Sequence, residues 1–155
     1  MLGDFRLEQL SQWIHSKPIL SLASGHLPHK AFWYRCAKVY KLAAMGDQVP
    51  GPPLVDLWEC GDSITACRMN QGVLEFVEFN VEHPEDIEVI ATSEQGLLAH
   101  VFIELSEDED DDQLLRDAAA SVGYRWLEET LRFQSQNGGD PEYRRKLREF
   151  VLSIS

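Results

Sequence analysis

The sequence is short of the residues that would build a disulfide framework, a metal knuckle or a nucleic-acid interface. Its 155 residues include three cysteines, Cys36, Cys60 and Cys67. An odd number with no Cys-x-x-Cys pair argues against both disulfide scaffolding and a thiolate zinc site, and points to buried free thiols in a reducing cytoplasm. Basic residues are outnumbered: fourteen Lys and Arg stand against 26 Asp and Glu, a formal net charge of −12. Such a field repels phosphate backbones and anionic lipid heads, which disfavours nucleic acid and membranes as partners. It would steer in a basic protein instead. Long apolar runs are missing as well: none approaches the roughly 18 residues that cross a bilayer. Met1 to Arg6 shows no charged lead followed by an apolar stretch, so no signal peptide is expected. Catalytic signatures are also lacking. The chain contains no GxSxG, GxxxxGK[ST] or HExxH, and no GxGxxG within a suitable βαβ unit, which points away from an enzyme.

What is present is the material of one packed domain spanning residues 1–155. A hydrophobic fraction of 44% with seven Phe, four Tyr and four Trp is enough for a core of its own. Residues 1–45 look helical. Asp4 is placed to cap a first helix with an apolar stripe of Phe5, Leu7, Leu10, Trp13 and Ile14, ended by Lys17-Pro18. A second helical segment follows Pro28, with Phe32, Trp33, Cys36, Val39, Tyr40 and Leu42 in helical order. The breaker from Gly46 to Pro53 then changes the texture, and residues 54–91 read as strands over 54–58, 63–69, 73–81 and 87–91. The connections Gly61-Asp62, Asn70-Gln71-Gly72 and His83-Pro84-Glu85-Asp86 are short, which implies an antiparallel meander. Residues 93–155 return to helix: one capped by Thr92 or Ser93, one from Gln113 to about Phe133, and a last one opened by Pro141. The fold expected is α+β, a central, mostly antiparallel sheet of about four or more strands flanked by N-terminal and C-terminal helices.

The most extreme local feature is the acidic run Glu107, Asp108, Glu109, Asp110, Asp111 and Asp112. Such a run is commonly a solvated loop or the acidic start of a helix. The sharper reading makes it, together with the turn acids Glu82, Glu85 and Asp86, a negative surface complementary to a basic partner. Histidines offer less. His26 and His29 straddle Leu27-Pro28 near Cys36 without matching ligands, and read as surface or capping residues. His83, among Glu82, Glu85 and Asp86, lacks any EF-hand spacing. His100 lies near the apolar face of a helix, where a hydrogen-bonded interfacial role fits better than ligation. No cofactor or metal is expected.

Leu27-Pro28 before Phe32-Trp33, then Leu54-Val55-Asp56-Leu57-Trp58, Gly61-Asp62-Ser63-Ile64, the aromatic strand Gly72 to Phe79, and Val89-Ile90-Ala91-Thr92-Ser93 before a Leu/Phe-rich helix form an ordered series. The series is similar to that of the SUKH superfamily, and the similarity covers about Leu27 to Leu105. Many bacterial members of that superfamily are immunity proteins that neutralise polymorphic toxins. The resemblance implies an α+β fold with a helix-flanked sheet and a neutralising or adaptor function, with no catalytic residues and no binding residues to transfer. Three functions therefore stay open: an immunity-type inhibitor of a basic toxin domain, a regulatory or scaffolding protein without a toxin, and a small enzyme or metal binder. Partner identity, binding face and oligomeric state are not legible.

Overall fold

The computed structural model describes residues 5–37 and 49–155. The expected cap Asp4 and the helical positions Val39, Tyr40 and Leu42 lie outside the described residues. Helices α1 (Phe5–Trp13) and α2 (Lys17–Ala23) lead to a 3₁₀ turn over Lys30–Phe32. Strands β1 (Val55–Cys60), β2 (Ser63–Asn70), β3 (Val73–Asn80) and β4 (His83–Ala91) follow. Helices α3 (Glu94–Asp108), α4 (Asp112–Val122), α5 (Leu127–Asn137) and α6 (Tyr143–Ser153) complete the chain. The four strands form one antiparallel sheet in the order β1-β2-β3-β4, so the architecture is α+β with flanking helices.

Each hairpin closes through two residues, as the pairs Cys60↔Ser63, Asn70↔Val73 and Asn80↔His83 require. In the second, Gln71 and Gly72 have φ of 52° and 82°, the paired positive values of a type I′ turn, which matches the twist of the strands it joins. Alternation then sorts the side chains. Trp58, Cys67, Phe76 and Ala91 face the helices and join Leu97, Leu98, Val101 and Phe102 of α3 in one buried cluster. Ile64, Ala66, Val77 and Phe79 are buried on the other face. At the centre of the cluster the Phe102 ring stacks on Tyr124 at 4.9 Å and meets the edge of Phe32 at 5.8 Å. Each such ring contributes about 1.5–3 kcal/mol by leaving water.

Several boundaries differ from the expectation. Lys17-Pro18 opens α2 instead of ending α1: the Ser16 hydroxyl accepts from the Ile19 amide, and Pro18 sits in the first turn, where a missing N–H costs nothing. The segment after Pro28 makes one 3₁₀ turn, capped by the His29 side chain accepting from the Ala31 amide. Strand β4 begins at His83, so Pro84, Glu85 and Asp86 belong to a strand and the turn is Val81-Glu82. The helix expected over 113–133 is two: Gly123, at φ 68°, ends α4 in the left-handed conformation, and α5 starts at Leu127. No helix among the described residues is long and apolar enough to cross a membrane.

Candidate protein-binding surface

The acidic run is the junction between α3 and α4, and the structure divides its members by task. Glu107 and Asp108 are in the last turn of α3, where the helix dipole disfavours negative charge. Arg35 answers this by donating from Nη2 to Asp108 Oδ2 at 2.5 Å. Glu109 accepts from the Asp111 amide at 3.0 Å. Asp111 is the N-cap of α4, its Oδ1 accepting from the amides of Gln113 and Leu114 at 3.0 and 3.2 Å. Glu107, Asp110 and Asp112 remain, all exposed and without a side-chain hydrogen bond or ion pair among the described residues. Three members of the run thus serve the scaffold and three are exposed, of which Asp112 acts electrostatically on Arg116 one turn along α4.

Glu82, Glu85 and Asp86 are exposed at the start of the outer strand β4. Glu85 lies 3.7 Å from His83 Nδ1, and Asp86 borders a shallow hollow beside Arg148 and Leu152. No hydrogen bond or ion pair among the described residues joins them to the α3–α4 junction. Glu82, Glu85 and Asp86 belong to the β3–β4 turn and β4, and the acidic run to the α3–α4 junction.

Next to the junction lies a groove of about 460 Å³ lined by Trp33, Tyr34, Arg35, Leu105, Asp108 and Leu114. Trp33 is 69% and Tyr34 51% exposed, their rings edge to face at 5.9 Å. Helical spacing groups Trp33 with Phe32 and Cys36 on an inward face. In the structure Phe32 and Cys36 are buried while Trp33 points outward, because the 3₁₀ turn does not continue into a helix. Three consecutive aromatics, Phe32-Trp33-Tyr34, were the available signal, since no regular element buries all three on one side.

The turn carrying this pair is held on both sides. Phe32 is locked against Phe102, Arg35 is ion-paired, and Ala37 exchanges backbone hydrogen bonds of 3.0 and 2.8 Å with Glu59 of β1. Trp33 and Tyr34 are therefore presented on a fixed backbone, which lowers the entropy lost when a partner covers them.

Arg35 also begins a half-buried chain of charge. Its Nη1 donates to Glu104 Oε2 at 3.2 Å, and its guanidinium lies 5.7 Å over the Tyr34 ring. Glu104 Oε1 and Glu78 Oε2 flank His100 Nε2 at 3.0 and 3.1 Å. Burial alone would lower the His100 pKa, but the hydrogen bonds and charges of Glu104 and Glu78 outweigh it and raise it to about 10. Burial pushes Glu104 up, and His100 and Arg35 more than reverse that, leaving it below the usual carboxylate range. The network ties β3, α3 and the Trp33-Tyr34 turn together. Glu78, His100 and Glu104 also place three potential ligand atoms within 4.8 Å of one another, the one such trio among the described residues. A divalent cation there would compete with the proton that His100 holds between the two carboxylates.

The remaining histidines have local duties or none: His26 Nδ1 is 3.0 Å from Ser24 Oγ, and His29 caps the 3₁₀ turn. Burial pushes the Cys36 thiol well up and the Cys67 thiol up to about 12, so neither is a nucleophile at neutral pH. No protein-family model matches the sequence, and no curated protein or solved structure is significantly similar to it.

Proposed function

We propose that this chain is a non-catalytic binding protein of the immunity type, which neutralises a basic toxin domain by covering it with the Trp33-Tyr34 groove and the neighbouring acidic junction. The observation that carries the reading is the exposed aromatic pair on a braced turn, near the exposed carboxylates Glu107, Asp110 and Asp112, which make no hydrogen bond or close ion pair among the described residues. Aromatic anchors next to a charged rim are what a tight protein interface needs. The rings supply desolvated contact area, and the charges at Glu107, Asp110 and Asp112 accelerate encounter with a cationic partner. The net charge of −12 acts in the same direction. The SUKH-like order of motifs supports the immunity role, and the same surface would serve an intracellular regulator.

The test is affinity capture from lysate of the native host at low and high salt, using the wild-type chain and a Trp33→Ala/Tyr34→Ala variant. The expected result is one basic, toxin-like domain in near-equal amount, retained less at high salt and bound at least about 30-fold more weakly by the variant. Ordinary host proteins lost from the variant would establish the regulator instead. Capture that ignores the variant would sink the surface assignment.

A further inference from the structure

A second cleft, of about 460 Å³, opens between β4 and α6 and shares no lining residue with the Trp33-Tyr34 groove. Its apolar walls are Val89, Ile90, Leu147 and Val151, and its polar groups differ in sign from the rest of this acidic chain. Arg144, Arg145 and Arg148 of α6 line it, with His100 of α3 and one carboxylate, Glu88. Two of those cations are already matched. Arg145 bridges Glu142 and Glu149, and Arg148 pairs with Glu88. Arg144 is exposed and has no partner among the described residues.

His100 supplies the other half. Glu78 and Glu104 both engage Nε2, which leaves Nδ1 as the ring nitrogen open to another partner, and their charges favour the doubly protonated ring, in which Nδ1–H is a donor. That Nδ1–H has no hydrogen-bond partner among the described residues. A donor without a partner, on a side chain that lines the cleft and is braced by two carboxylates, can meet an acceptor from outside.

We propose that this cleft binds a small organic monocarboxylate, the carboxylate between the Arg144 guanidinium and His100 Nδ1–H and the aliphatic body against Ile90, Leu147 and Val151. The charge balance selects a monoanion. Glu78 and Glu104 more than offset the His100 charge, Glu142 and Glu149 that of Arg145, and Glu88 pairs with Arg148, so Arg144 is the one cation on the walls left to meet a ligand's charge. A dianion such as a phosphate monoester would bring a second charge with no counterpart, into a chain of net −12. The volume suits a ligand of a few carbons upwards, within the roughly 300–1,000 Å³ typical of small-molecule sites.

The experiment is a titration of the full ¹⁵N-labelled chain with sodium hexanoate, and in parallel with the uncharged hexanamide. Amide shifts are followed over residues 88–90, 100 and 143–151. Saturable shifts confined to those positions are expected, with a Kd of about 1 mM or tighter for hexanoate. Binding of hexanamide, or of hexanoate to an Arg144→Ala variant, is expected to be about tenfold weaker. Arg132→Ala makes the same charge change on exposed surface outside the cleft and is expected to bind as wild type. No saturation, shifts scattered over the surface, or equal binding by hexanamide or by Arg144→Ala would overturn the proposal. Because the groove residues are untouched, these outcomes are independent of the partner-capture result.

Discussion

His100 holds its second proton because Glu78 and Glu104 sit on either side of Nε2, and that arrangement links the fold's stability to pH. A histidine whose pKa rises from 6.5 to about 10 on folding stabilises the native state fully below pH 6.5, and the contribution fades as pH climbs through about 10. Glu104, lowered on folding, acts in the opposite direction: its contribution is complete above about 4.5 and is lost as acid protonates the folded carboxylate. The network is therefore at full strength between about pH 4.5 and 6.5. Urea unfolding of wild type and His100→Gln from pH 6 to 10 checks this. The wild type should lose stability relative to the variant with a slope approaching about 1.4 kcal/mol per pH unit, the value for one proton. A constant difference across that range would mean His100 is neutral in the folded protein.

At the scale of the element, the acidic run shows how one residue type serves opposite ends of two helices. Asp111 caps α4 through two backbone amides, whereas the Asp110 side chain beside it makes no hydrogen bond or ion pair among the described residues. Asp111→Ala should cost about 1 kcal/mol by chemical denaturation, and Asp110→Ala should leave stability within about 0.5 kcal/mol of wild type. The strands were legible because Gly61-Asp62 and Gln71-Gly72 mark turns on either side of β2, and β3 alternates after the second of them. The helices were less so. Pro18 reads as a stop until Ser16 is recognised as the cap that makes it a first-turn residue, and the apolar spacing from Val122 to Trp126 hides the break at Gly123. The candidate surface was half visible: the carboxylates stand out in the sequence. Which of them are free does not, since that is decided by Arg35, 73 positions before Asp108. The outward turn of Trp33 was hidden for the same kind of reason, as it depends on the Ala37–Glu59 bridge to a strand still to come.

Across the whole molecule, charge is distributed unevenly. Three exposed acids, Glu107, Asp110 and Asp112, lie at the α3–α4 junction, while four cations, Arg144, Arg145, Lys146 and Arg148, fall within five positions of α6. The exposed acids adjoin the Trp33-Tyr34 groove, and the α6 cations line the cleft. The sheet joins the two regions, with β1 and β4 as its outer strands. β1 is partly covered by its bridge to Ala37. Among the described residues β4 has a hydrogen-bonded strand neighbour on one side only, and along its length stand Pro84, Glu85, Asp86 and Glu88. An open strand is a template for amyloid-like stacking, and a proline with closely spaced like charges is the usual deterrent, because a second copy would lay carboxylate against carboxylate. Glu85→Thr/Asp86→Val removes that repulsion while raising β-propensity, so the variant should form thioflavin-positive fibrils at concentrations where the wild type stays clear. The turn acids would then matter most in a crowded solution of identical chains, by keeping each copy from nucleating the next.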